Sequence, residues 1–240
     1  MKIKINYSQN FSPKTRVKSN IKFIIIHYTG MQSEIASINR LKNIKSKVSC
    51  HYFINRKGSI TQMVKDNQVA WHSGKSKWKS FINLNKYSIG IELVNKGHDF
   101  GYESFTNLQI KRLVELCLKL KKKYKIKTSN IVGHSDIAPF RKIDPGEKFP
   151  WIKLEKNNLG ICYKKSILKT KQLKNEKTEK LFFRNLHKIG YRYFNLSKRN
   201  KNDIFVVKAF QRRFIPNEIT GLIDQKTYII SQFLAKNSKK

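Results

Sequence analysis

Residues 22–28 read KFIIIHY and residues 88–94 read SIGIELV. The first is a short apolar, β-branched run ending on a polar residue, the pattern of a buried strand, and it puts His27 at or near the strand's C-terminal end. In the second, Ile89, Ile91 and Leu93 alternate with Gly90, Glu92 and Val94. A strand there sends Glu92 to the face opposite the isoleucines, leaving one carboxylate aimed at a distinct surface.

Working outward, Ile35, Ile38 and Leu41 recur at a three-residue spacing, which predicts a helix over Glu34 to Asn43 and a first β-α unit. HYFINRKGSITQMV, from His51 to Val64, reads as two β-rich runs around a turn in which Gly58 takes the positive φ of a tight hairpin. Thr106 and Gln109 form a capping box ahead of Ile110, Leu113, Val114, Cys117, Leu120 and Tyr124, which lie on one helical face with Cys117 in the core. A strand over Asn130 to Gly133 follows. Strands and helices thus interleave over about the first 155 residues, which predicts an α/β layered domain with a central mixed sheet flanked by helices.

The segment from about Leu159 to Lys180 is lysine-rich with weak periodicity and reads as a linker. Beyond it, LFFRNLHKIGY, DIFVVKAFQRRF and DQKTYIISQFL are amphipathic runs broken by Gly190, Pro216 and Gly221, the pattern of a small three-helix module. The expected division is a catalytic domain over 1–160, a linker over 161–180 and a helical domain over 181–240.

Composition narrows the function. Aromatics at 12% supply the bulk that disordered chains lack, and the 240 residues suffice for one large domain or two small ones. The longest aliphatic and aromatic run, Phe23 to Ile26, is far too short to span a bilayer. The basic N-terminus lacks the apolar region of a secretory signal, which predicts a cytoplasmic location, the alternative being a periplasmic or wall-associated one reached by a non-standard route. Cys50, Cys117 and Cys162 show no C-x-x-C spacing, so any metal must rest on histidines and carboxylates. A formal charge of +36 suits a polyanionic partner. The lysines are spread along the whole chain, however, and form no stripe with interleaved aromatics, which argues against nucleic acid; a compositional bias toward Lys, Asn and Ile explains the charge equally well.

Hydrolytic zinc sites take three ligands from His and carboxylate and keep a fourth position open. His27 at its strand end, His134 in GHSDIAP and Asp144 in RKIDPG offer such a set. Each also has a plain reading, as a core histidine, a turn residue and a turn starter. Glu92 reads as a surface carboxylate in an ion pair or as a proton acceptor, and Lys142 as a solvated lysine or a cation beside the site. Cys50 beside His51 suggests a thiol nucleophile, but neighbours on a strand point to opposite faces.

Six segments, HYTG, SCHYFINRKG, AWHSG, SIGIELVN, GHSDIAP and RKIDPGEKFPW, occur in one order and spacing. Over about residues 20–155 the chain resembles the zinc-dependent N-acetylmuramoyl-L-alanine amidases of the second amidase class, relatives of peptidoglycan recognition proteins. That resemblance implies one Zn²⁺ on His27, His134 and Asp144, Glu92 and Lys142 as the catalytic pair, and Tyr52 and His72 in contact with substrate. His51 and Trp71 also match positions around the groove. Cys50-His51 stands where the phage-type branch has Tyr-His, which throws more weight on Glu92.

Residues 181–234, through LHKIGY, VVKAFQRRF and ITGLIDQKTY, resemble the small helical peptidoglycan-binding domain found beside cell-wall hydrolases. The combined expectation is a monomeric zinc amidase acting on peptidoglycan or muropeptides, in wall turnover or muropeptide recycling. A non-catalytic peptidoglycan recognition protein is the alternative.

Overall fold

The computed structural model describes residues 2–163 and 178–238. In chain order the elements are β1 (Ile3–Ile5), β2 (Phe11–Ser12), β3 (Phe23–Tyr28), α1 (Glu34–Lys42), β4 (Tyr52–Ile54), β5 (Ile60–Gln62), β6 (Val69–Ala70), β7 (Lys77–Trp78) and β8 (Phe81–Ile82). They continue with β9 (Ser88–Leu93), α2 (Asn107–Tyr124), β10 (Ile131–Gly133), α3 (His134–Ile137), α4 (Trp151–Glu155), α5 (Thr178–Ile189), α6 (Asp203–Phe214) and α7 (Gln225–Asn237).

A six-stranded sheet of order β1-β5-β4-β9-β3-β10 forms the centre, parallel except for the β4–β5 hairpin, and is therefore mixed as expected. A central parallel strand is covered on both faces, which is why β3 reads as an unbroken apolar run. Ile24 and Ile26 pack with Ile89, Ile91 and Ile131 beneath Leu113, Leu116, Cys117 and Leu120 of α2. Phe23 and Ile25 face the other way. With Val132, Trp78 and Leu84 they share one core with Phe182, Leu186, Phe210 and Leu234 of α5–α7.

Three details depart from the sequence reading. In α1, Leu41 is buried but Ile35 is 71% exposed, because residues three apart drift about 60° around a helix at each step, so the ends of the row cannot share a face. At the start of α2 the Thr106 hydroxyl accepts from the Gln109 N–H at 3.1 Å. The reciprocal bond is missing, since Gln109 donates its amide to the Ile54 and Val94 carbonyls at 3.2 and 3.0 Å and so ties α2 to the sheet. Helix α5 begins at Thr178, within the expected linker; residues 164–177 lie outside the described residues. Three helices follow, but they cover the sheet and close its core.

Candidate metal centre and its groove

The site lies at the carboxyl ends of the parallel strands, where α/β sheets place their ligands. Register sets His27 of β3 directly beside Glu92 of β9, and Ile26 beside Gly133, so that His134 follows at the next level. Asp144 arrives on the loop after α3 and is tied back by the Ser135 N–H, which donates to the Asp144 carbonyl at 2.9 Å. His27, His134 and Asp144 are all buried.

The surrounding hydrogen bonds decide which nitrogens face inward. His27 Nε2 lies 3.0 Å from His72 Nδ1, and His72 Nε2 lies 3.1 Å from Ser88 Oγ, whose hydroxyl donates to the Leu84 carbonyl at 2.6 Å. With the Ser88 proton so committed, the consistent assignment is that His72 donates to Ser88 and His27 donates to His72. His134 Nε2–H donates to the Ser73 carbonyl at 3.1 Å. Both histidines therefore turn an unprotonated Nδ1 toward Asp144. The two Nδ1 atoms are 3.0 Å apart and lie 3.0 and 3.1 Å from Asp144 Oδ2.

This is a triangle of three acceptors. Its edges approach the separation of roughly 3.3 Å between neighbouring ligands on a tetrahedral zinc ion, and its N₂O donor set is one that hydrolytic zinc takes. Burial, then the neighbouring His134, lowers the His27 pKa to about 4, which keeps the ring neutral.

Two sequence features serve this packing. A Cβ at Gly90 would lie 2.4 Å from the His72 ring, so only glycine in SIGIE lets His72 stand behind His27. Arg141 donates to the Ser73 carbonyl at 2.5 Å and to the Lys75 carbonyl at 2.8 Å, clamping the loop that receives His134.

The triangle opens into a groove of about 710 Å³, walled by Arg40, Trp71, Phe100, Arg141 and Ile143, with Glu92 and Lys142 also lining it. Glu92 is partly exposed, and its Oε2 is buried without a hydrogen-bond partner. Burial, then the Asp144 charge, raises its pKa well above the ordinary value, and the Lys142 ammonium works against the rise. Lys142 is close enough for its charge to act on His27 as well.

The structure thus brings together His27, His134, Asp144, Glu92 and Lys142. It corrects one expectation. Tyr52 points to the α2 side of the sheet, opposite Glu92, where its hydroxyl donates to Asp66 at 2.7 Å; a side chain on β4 one residue before Phe53, the register neighbour of Glu92, must face away from the groove. His72 lines the groove, with both of its ring nitrogens committed to His27 and Ser88. Trp71 stands in the groove wall, whereas His51 is fully buried with Nδ1 accepting from the Gly90 N–H at 3.0 Å. Cys50 packs with Leu41, Phe53 and Met63, and burial pushes its thiol pKa up, which leaves no thiolate–imidazole pair.

Sequence reasoning missed Arg16, buried in front of the region of resemblance. It donates to the Asp66, Asn85 and Ser88 carbonyls at 3.1, 3.0 and 2.7 Å and braces the loops behind the site. Among 51 basic residues nothing marked it out.

Residues 17–147 match the family model for N-acetylmuramoyl-L-alanine amidase. The chain belongs to this amidase family. Among curated members, the N-acetylmuramoyl-L-alanine amidase AmiD of Escherichia coli is 38% identical over 154 residues, 58% of this chain and 54% of that protein. The 1,6-anhydro-N-acetylmuramyl-L-alanine amidase AmpD of Haemophilus influenzae is 44% identical over 106 residues, 44% of this chain and 55% of that one. The chain spans about half the length of the curated amidases it matches. Similarity of structure runs further. AmiD of E. coli, solved with anhydro-N-acetylmuramic acid-L-Ala-D-gamma-Glu-L-Lys, superposes with a TM-score of 0.80 at 29% identity over 95% of this chain and 93% of the other. AmpDh3 of Pseudomonas aeruginosa gives 0.81 at 27% identity over 98% of both. The family fold in this form includes the C-terminal helices.

Proposed function

We propose that the protein is a zinc-dependent N-acetylmuramoyl-L-alanine amidase, hydrolysing the amide between the lactyl group of N-acetylmuramic acid and the L-alanine of peptidoglycan or muropeptides. The observation that carries this is the acceptor triangle of His27, His134 and Asp144 beside the unpartnered Glu92 carboxylate in an open groove. The relatives' bound muropeptide and amidase names support the substrate class.

His27, His134 and Asp144 would hold the ion, which lowers the pKa of a bound water toward about 7 and polarises the scissile carbonyl. Glu92, with no donor to satisfy Oε2, accepts the proton of the attacking water. The raised proton affinity of this carboxyl suits it to pass that proton to the departing alanine nitrogen as the C–N bond breaks. Lys142, on the loop that carries Asp144, supplies positive charge where the carbonyl oxygen becomes an oxyanion. His72 and Ser73 hold the imidazoles in the required tautomer. Arg40 and Arg141 on the groove walls complement the carboxylates of a stem peptide. The helical module would retain the enzyme on wall polymer, raising the local substrate concentration.

The test is muropeptide release from purified peptidoglycan, analysed by mass spectrometry, for the wild type, a chelator-treated sample, the same sample restored with zinc, and Glu92→Ala. Free stem peptides and peptide-free glycan, lost on chelation or in Glu92→Ala and recovered with zinc, are expected. Binding of peptidoglycan without cleavage by the zinc-loaded wild type would overturn the reading in favour of a recognition protein.

A further inference from the structure

Asp136 lies two residues beyond His134, and none of its partners belongs to the groove. Its Oδ2 accepts from the Gly133 N–H at 2.8 Å, fixing the backbone at the start of α3, where His134 is the first residue. The rest of its bonds come from the C-terminal module, from Tyr191 in the loop after α5 and from Arg213 of α6. The Tyr191 hydroxyl donates to Asp136 Oδ1 at 2.6 Å, and Arg213 Nη1 donates to Oδ2. Arg213 also donates to the Ile131 carbonyl at 3.2 Å and stacks over Trp151 at 4.0 Å. Asp136, Tyr191 and Arg213 are all buried. Tyr191 is pressed in place by Trp78, with ring centroids 4.8 Å apart.

Helix α3 consequently connects three things. Its first residue carries one acceptor of the triangle, the Ser135 N–H holds the Asp144 backbone, and Asp136 is gripped from the helical module. Strand β3 makes a second connection, since Phe23, Ile25 and His27 share one face. The module covers Phe23 and Ile25, and the row ends at His27.

We propose that the helical module is a positioning part of the catalytic centre, in which Tyr191 and Arg213 hold Asp136, and through α3 the His134 and Asp144 ligands, in metal-binding geometry. This rests on the metal site proposed above. It assigns the module a role that a tether on a flexible link does not have: metal retention depends on it.

The experiment uses the full chain. Tyr191→Phe removes one hydroxyl and Arg213→Lys retains the charge while removing the fork, so neither empties the core; Arg213→Ala is the more drastic companion. Zinc affinity is measured by competition with a chromophoric chelator, ligand geometry by the visible absorption of the cobalt-loaded protein, and folding by circular dichroism and thermal melting. Both mild variants are expected to fold, to bind zinc about 10- to 100-fold more weakly, the range seen for partners that orient metal ligands, and to show an altered cobalt spectrum. Tyr191→Phe should add little in an Asp136→Asn background, because the hydroxyl acts through that carboxylate. Wild-type zinc affinity within twofold and an unchanged cobalt spectrum in both mild variants, even with a lowered melting temperature, would overturn the proposal and leave the module a packing and attachment element. A wild type that binds no stoichiometric zinc, or a His134→Ala variant that binds it equally well, would instead remove the metal reading on which the proposal stands.

Discussion

Asp66 and Asp144 are both buried carboxylates beside the same sheet, and they differ in what surrounds them. Asp66 accepts from the Tyr52 and Tyr124 hydroxyls at 2.7 and 2.5 Å, from Lys123 Nζ at 2.8 Å and from Gln62 at 3.3 Å. Every neighbour is a donor, so the cluster is complete. Asp144 Oδ2 faces two imidazole nitrogens whose protons are engaged elsewhere, and Glu92 Oε2 beside it has no partner. A cluster made of acceptors is stable only with a cation or extra protons, whereas a satisfied one only holds the fold. Burial and charge alone do not separate the two; the balance of donors and acceptors does.

The comparison breaks most visibly if the triangle can be dismantled without losing metal. Asp144→Ala or His27→Ala should abolish stoichiometric zinc binding and hydrolysis together, read by metal analysis after gel filtration and by muropeptide release. Retained zinc in either would mean that the acceptors are a structural cluster like that of Asp66. Next in size, Glu92→Gln should lower kcat about 10²- to 10⁴-fold while zinc stays at one per chain, because it removes the proton acceptor and no ligand. His72→Phe, which takes away the partner of His27 Nε2, should weaken zinc about 10- to 100-fold with a smaller loss of kcat at saturating metal.

On the other side of the sheet only stability should respond. Bonds from Lys123, Tyr124 and Tyr52 outweigh the opposing effect of burial and hold Asp66 below its ordinary pKa of 3.8. A carboxyl depressed in the folded state contributes stability that is present above its unfolded pKa and lost as pH falls through the folded one. Asp66→Asn should therefore flatten the acid side of a stability-versus-pH curve below about pH 4, measured by urea unfolding, with kcat/KM unchanged at neutral pH. Tyr52→Phe is the mildest change, costing about 1 kcal/mol of stability and leaving hydrolysis as it was. A fall in kcat/KM in Tyr52→Phe would return that residue to the substrate groove, against its position here.

Much of the fold was legible because the central strands carry it locally. KFIIIHY and SIGIELV are apolar on both faces or alternate, and the hairpin about Gly58, with its positive φ, and the Thr106 cap are signals within a few residues. Strand β1 escaped notice although Ile3 and Ile5 alternate with lysines, since it gains its place only by pairing with β5, fifty-seven residues on. At the site, the residues that bear charge or lone pairs each read ambiguously alone and became legible through the resemblance that HYTG, SIGIELVN, GHSDIAP and RKIDPGEKFPW carry together. Those that orient them did not. Nothing local to His72 shows that both its nitrogens are taken, and Arg16, Ser73 and Arg141 act through backbone carbonyls that have no sequence signature.

By itself the sequence determined which residues have the chemistry of the site and which strands carry them, because side-chain type and hydrophobic period are local properties. Tertiary structure alone decided which nitrogen of each histidine faces inward, which side of the sheet Tyr52 occupies, that α5–α7 share a core with β3, and that Tyr191 and Arg213 grip Asp136. Those outcomes depend on register, strand face and the pairing of donors with acceptors between separate segments, and such contacts exist only once the chain has folded.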